Sequence, residues 1–341
     1  MRSHQYRWRA ALAGLVFLLA ASSVFAQAEW IYLARGTEFV VIDPSSGDRV
    51  GGGTLRPASV AGGAMSIPED GSTPEIVPTP GGRYVFFHFS DEDAAVVVDA
   101  ETHEVVRVVG LPQESERIQF SSMGDSLYVE TRADRYEFPH RRGEITGDAS
   151  PAPRLAPGRI AFNRRATRVY GERDGELVYS LARDGSPITG VRLRGGPYDW
   201  QTSPNFRFLL GASRDGEGMV LVDEARARVI GYLSESFVRE NVWFDEASRE
   251  VHFLTADGRA LAAADVRRFR ISSQQELGTA LARIWRDDDG SLHGLTADGS
   301  ELILDVAGRA RRLASDSVLG GSDELTAELV RLKPGQGFAC F

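Results

Sequence analysis

The chain has 341 residues, 42% hydrophobic and 26% charged, with a net charge of −9. That composition excludes a disordered or collagen-like chain and supplies enough apolar residues for a sizeable core. Cys340 is the only cysteine, which excludes an intramolecular disulfide, a CxxC or CxxCH motif and a zinc ribbon. Lys333 is the only lysine, so nearly all positive charge is arginine.

Residues 1–28 read as a secretory signal peptide. Arg2, Arg7 and Arg9 precede an apolar run over residues 10–20, too short for a span of about 20 residues, and Ala26-Gln27-Ala28 offers a small-x-small cleavage site. Removing residues 1–26 moves the net charge from −9 to −12, because the segment holds three arginines and no acids. Residues 29–341 are then expected to form one exported domain, in the periplasm or outside the cell.

Residues 29–49, EWIYLARGTEFVVIDPSSGDR, read as a second strand, a third strand and the start of a fourth, and residues 50–72 form a Gly/Ala/Pro-rich excursion. Residues 75–110, EIVPTPGGRYVFFHFSDEDAAVVVDAETHEVVRVVG, read as four antiparallel strands punctuated by turns. The unit then repeats. Val77, Gln119, Ala161, Trp200, Trp243 and Trp285 form one column, with steps of 42, 42, 39, 43 and 42. A second column holds Phe86, Tyr128, Tyr170, Leu209, His252 and His293, and a third Asp93, Asp134, Asp174, Asp215, Asp257 and Asp298. A period of about 40–45 residues with four strands per unit is the signature of a β-propeller. The pattern weakens in the third unit, where Pro139 falls in a strand, and in the sixth, at ALAAADVRRFRI. Residues 29–49 lack a first strand, and a strand at about 327–333 lacks its partners. The expectation is an all-β, seven-bladed propeller whose C-terminal strand pairs with the N-terminal ones, which also covers open sheet edges.

TPGGRYVFFHFSDEDAAVVVDAETHEVVRVVGLP (residues 79–112) resembles the repeats of YVTN-type propellers, an exported bacterial and archaeal group. Fragments recur as FVVIDPSSGDRV, SPNFRFLLGAS and LVDEARARVIGYL. The resemblance implies architecture. Similar repeats occur in lactonase-type and quinoprotein-associated propellers, and fold alone does not decide between them.

Candidate chemistry is sparse. The six aspartates of the third column lie in turns between second and third strands; four precede glycine, as hairpin turns favour. Their functional alternative is an acidic ring at one mouth of a central channel, able to hold a cation. The opposite face collects Arg83, Arg141, Arg142, Arg164, Arg165, Arg183, Arg207, Arg226, Arg228, Arg249, Arg267, Arg268, Arg309 and Arg311. Arginine pairs bidentately with carboxylates and phosphates, so this face is a candidate docking surface for a protein or an anionic envelope partner. His252 and His293 share a column with aromatics and read as packing residues. Trp200, Trp243 and Trp285 read as inter-blade packing, with a ligand platform as the alternative. No G-x-S-x-G elbow, P-loop or dinucleotide fingerprint is present. The expectation is a monomeric binding or scaffold module without cofactor, metal or nucleic acid. A lactonase-type hydrolase and an accessory of a periplasmic quinoprotein are the alternatives.

Overall fold

In the computed structural model the described residues are 28–55, 72–152, 155–287, 289–306, 311–314 and 325–332. The signal segment, most of the 50–72 excursion, Arg309, Lys333 and Cys340 lie outside them.

The short Val-, Phe- and Tyr-rich runs form strands throughout. The only helix among the described residues is a single 3-10 turn, Ser90–Glu92. The chain is all-β, of antiparallel four-stranded sheets in the propeller manner. Unit two pairs Glu75–Pro78, Tyr84–Phe89, Ala94–Asp99 and Glu104–Gly110 in chain order. Unit one is split between the ends: Thr326–Arg331 pairs antiparallel with Glu29–Arg35, with Trp30 opposite Val330 and Tyr32 opposite Glu328. Units five and six share a 17-residue strand, Arg228–Phe244, the outermost strand of one and the innermost of the other.

Every sheet is apolar on both faces, because side chains alternate along a strand. Tyr32, Phe39 and Val41 of unit one meet Phe87, Val96 and Val98 of unit two. Phe86 and Val97, on the other face of unit two, meet Phe120 and Val129 of unit three. The pattern continues from three to four, four to five, five to six and six to seven. It ends with Trp285, Leu295 and Leu304 of unit seven against Ile31, Leu33 and Val40 of unit one.

The two weak stretches of sequence have physical explanations. In unit three, Arg135–Arg141 pairs with Ser126–Thr131 from Glu130 to Ser126, but the fourth strand survives only as the short pieces Glu144–Ile145 and Ser150–Pro151 on either side of Pro139. Proline cannot donate to the ladder, so the edge breaks there. In unit six, alanine-rich Ala260–Asp265 is an ordinary buried third strand; Ala262 and Ala264 are small because Phe244, Phe253 and Phe269 fill that interface.

The innermost strand of each unit leaves backbone groups along one edge. Amide side chains from the preceding unit satisfy some of them. Asn241, 1% exposed, donates from Nδ2 to the Ala282 carbonyl (2.7 Å) and accepts at Oδ1 from the Ile284 N–H (2.8 Å). Gln119 makes the same paired contact with Ile160 N–H and C=O, and Gln201 donates to the Val242 carbonyl at 3.0 Å. Replacing Asn241 by Ala strands a buried N–H and C=O. The expected loss is about 1–3 kcal/mol in urea-induced unfolding. Asn241→Asp should lose at least as much, since its carboxylate faces the Ala282 carbonyl.

Candidate functional site

The strands Glu75–Pro78, Ser115–Phe120, Ala161–Phe162, Tyr198–Thr202, Arg228–Phe244, Leu281–Arg286 and Thr326–Arg331 line a cavity of about 1000 Å³. Its wall includes Glu75, Val77, Gln119, Arg159, Gln201, Trp243, Arg283, Trp285, Arg286 and Glu328. The size suits a drug-sized ligand, and the mixture of aromatic, amide and charged groups is that of a binding site.

Register explains which side chains reach it. Opposite Phe86, Tyr128, Tyr170, Leu210, His252 and His293 of the second strands lie Val77, Gln119, Ala161, Gln201, Trp243 and Trp285. Trp200 is therefore one residue out of the sequence column, which Gln201 occupies opposite Leu210. A one-residue shift turns a side chain to the other face. Accordingly Trp200 packs back into the interface of units four and five, while Trp243 and Trp285 face forward into the next unit. The short step of 39 before Trp200 was the available sign.

Two residues before this column run Glu75, Arg117, Arg159, Asp199, Asn241 and Arg283, a polar row that sequence reasoning did not single out. Here the structure gathers charge. Asp199 Oδ2 accepts from Arg239 Nε (2.8 Å) and Nη2 (2.5 Å); its Oδ1 accepts from the Arg159 N–H (2.8 Å) and Arg117 Nη1 (3.3 Å). Burial alone would raise the Asp199 carboxyl, but the Arg159 N–H and the Arg117 and Arg239 guanidiniums outweigh it and hold it below the usual carboxylate range. Arg283 pairs with Glu328 at 2.5 Å, whereas Arg159 meets Glu75 only at 3.7 Å. Glu75, recessed but accessible from the cavity, is likewise held low: burial opposes its ionisation, and His88 and Arg159 favour it.

His88 Nε2 lies 3.1 Å from Ser115 Oγ, and His88 Nδ1 lies 3.9 Å from Glu75 Oε2. The order is that of a serine–histidine–acid relay. Yet Ser115 and His88 are 1% and 2% exposed, Ser115 is not on the cavity wall, and 3.9 Å exceeds hydrogen-bond reach. A substrate carbonyl has no route to this serine in the conformation described.

The aspartate column occupies its predicted turns but not the cavity wall. Asp257 Oδ1 accepts from Thr255 Oγ1 (2.7 Å) and Arg259 N–H (3.0 Å), and Asp215 from Ser213 and Glu217. Asp298 accepts from Thr296 Oγ1 (2.6 Å) and Ser300, which lowers its pKa to about 2. Asp93 Oδ1 accepts from the Ser115 N–H, Asp134 donates its N–H to Thr131 Oγ1, and Asp174 sits at positive φ in its turn. The carboxylates of Asp215, Asp257 and Asp298 serve their own hairpins, and that of Asp93 reaches the first strand of the next unit. Among the described residues no group of three or more His, Cys, Asp or Glu could hold a metal ion.

The arginine turns do share one edge of the sheets, by antiparallel topology. Arg141, Arg142, Arg164, Arg165, Arg207, Arg226, Arg228, Arg249, Arg267 and Arg268 are exposed. The same turns carry Asp43, Asp48, Glu101, Asp125, Asp184, Asp245, Glu246 and Asp289. Arg83 pairs with Asp99 and Glu101, and Arg207 and Arg226 lie 4.0 and 3.5 Å from Asp223. The arginine-bearing face is thus mixed in charge. The sequence count tallied arginines there without the acids beside them. Of the Arg311 side chain nothing is described.

The histidines are packing residues. His252 stacks on Trp243 (5.7 Å, 20°), and His293 Nε2 lies 3.0 Å from Asp287 Oδ2 in the DDDG turn. Asp287 also accepts the Ser291 N–H, as a turn requires. His140 Nδ1 donates to the Gly124 carbonyl (2.7 Å), and its buried Nε2 has no partner among the described residues.

Neither a protein-family model nor a curated protein matches the chain. Solved structures do match. A protein of unknown function from Desulfotomaculum acetoxidans aligns with a TM-score of 0.63 at 11% identity, over 89% of this chain and 99% of its own. Apo AztD from Citrobacter koseri aligns with a TM-score of 0.60 at 12% identity, over 89% and 98%. A candidate 6-phosphogluconolactonase from Bacteroides uniformis aligns with a TM-score of 0.59 at 12% identity, over 89% and 100%. At such identities the likeness establishes a propeller-type fold alone.

Burial holds the imidazoles of His140, His252 and His103 below their ordinary pKa. In the unfolded chain they take up protons near pH 6.5, so the unfolded state binds more protons as pH falls through that value. Stability should therefore be full at about pH 7.5 and decline towards about pH 5.5, by at most about 1.4 kcal/mol per pH unit for each histidine. His140→Phe, between Phe86 and Phe120, should flatten the slope of Tm against pH whatever its effect on absolute Tm.

Proposed function

We propose that the chain is an exported, seven-bladed propeller of the YVTN type, acting as a ligand- or protein-binding module in the cell envelope. The carrying observation is the cavity of about 1000 Å³ with a mixed aromatic and charged wall. It is accompanied by no accessible catalytic constellation among the described residues. The seven-bladed reading draws on the pairing of Thr326–Arg331 with Glu29–Arg35 and on the contact of unit seven with unit one. Export draws on the basic-then-apolar stretch at residues 1–28. No helix among the described residues is long and apolar enough to cross a membrane. The chain works as a monomer without a resident cofactor, presenting the cavity to a small ligand and the arginine-bearing turns to a protein or anionic partner.

The test is affinity purification of the tagged mature chain from its own envelope extract at low and high salt, with mass spectrometry of bound proteins and small molecules. A stoichiometric companion is the expected result, released by salt if the arginine turns carry the contact. A bare monomer at both salts, together with turnover of a lactone panel by the purified chain, would replace this reading with the hydrolase.

A further inference from the structure

We propose that the cavity takes a small organic anion, which lays an apolar, planar body on Trp243 and sets its acid group against the guanidinium of Arg286. This deepens the binding-module reading and rests on it. Both residues lie on the cavity wall. Trp243 is partly exposed there, with one face covered by the His252 ring at 5.7 Å and 20°. A tryptophan backed in this way is a fixed platform, since it loses little rotamer freedom on binding.

Arg286 adjoins that platform: its charge is close enough to His252 to help hold the imidazole neutral. Among the described residues the Arg286 guanidinium has no ion pair, and its buried Nε has no acceptor. Two other guanidiniums of the wall are engaged. Arg283 is committed to Glu328 at 2.5 Å and Arg331 to Glu29 at 2.6 Å. Arg159, across the cavity, keeps donor capacity of its own, because its one ion pair is the 3.7 Å contact with Glu75. An arginine has five N–H donors, and leaving a buried one unpaired is costly. An acid group in the cavity would satisfy them.

The wall also carries acids. Asp245 and Asp287 are spent on their own turns: Asp245 Oδ1 accepts the Glu250 N–H at 2.7 Å, and Asp287 accepts from Ser291 and faces His293. Glu240 and Glu246 are exposed at the two ends of the innermost strand of unit six. There water and salt screen them, whereas Arg286 is partly sheltered.

The probes are benzoate, its neutral analogue benzamide, acetate and inorganic phosphate, added to the purified full chain. Tryptophan fluorescence is followed alongside the NMR titration of the His252 ring. Benzoate should quench saturably, and occupancy should raise the His252 pKa, because the bound carboxylate offsets the Arg286 charge. Arg286→Gln should weaken benzoate at least about tenfold, the scale of one charge-assisted hydrogen bond, while the exposed control Arg192→Gln, outside the cavity and the arginine turns, changes nothing. Competition by acetate alone assigns carboxylates and competition by phosphate assigns phosphate esters; either supports the site. Equal binding of benzamide, unchanged affinity in R286Q, or no saturable response to benzoate overturns it. If the chain captures a partner from envelope extract yet shows no such response, the anion site fails while the binding-module reading stands.

Discussion

Each sheet in this chain is apolar on both faces, and that single constraint organises the molecule. A hydrophobic face left in water costs about 25 cal/mol for each Å² exposed, so a unit with Phe86 on one side and Phe87 on the other needs two neighbours. A linear stack would leave two end faces bare. Here Ile31 and Leu33 of the N-terminal strand meet Trp285 and Leu304 instead, and Val330 of the C-terminal strand lies among Tyr32, Ile76 and Phe87. The two chain ends are thereby tied into a single sheet. Gly82 shows how close the fit is: it holds a φ of +70°, and a side chain there would collide with the backbone of Arg331.

The cavity follows from that packing. Arranging sheets about an axis leaves the innermost strands with backbone groups along one edge, and an unpaired edge is both costly and adhesive. Asn241, Gln119 and Gln201 meet this need by reaching from one unit to the backbone of the next. The same strands bring in Arg117, Arg159, Arg239 and Arg283, which are neutralised in part by Asp199, Glu75 and Glu328. Structural amides and the paired charges therefore share the innermost strands. In the aspartate column, on turns away from the wall, Asp215, Asp257 and Asp298 cap their own hairpins.

Much of this was legible in the residues, and the failures are specific. The period identified the units, their turns and the split first unit, because strand alternation and Asp-Gly turns are local properties. The alanine-rich strand of unit six looked weak because alanine has low β-propensity, but Phe244, Phe253 and Phe269 from its neighbours supply the bulk it lacks. In unit five the column belongs at Gln201, one position after Trp200; the step of 39 signalled a shift, but not at which residue pairing resumes. The basic face was overdrawn because arginine counts ignore partners such as Asp99, Glu101 and Asp223.

The sequence by itself determined the repeat, the all-antiparallel strand order and the turn chemistry, all of which act over a few residues. Only the tertiary structure decided which polar residues converge. Asp199 gathers Arg117, Arg159 and Arg239 from residues 82, 40 and 40 positions away, and Trp243 and Arg286 share one wall, with His252 stacked on the tryptophan, although they lie in two units. Whether a charge is paired or a ring is open to the cavity depends on distances between strands of different sheets. Those distances are set by packing around the axis, which no local pattern encodes.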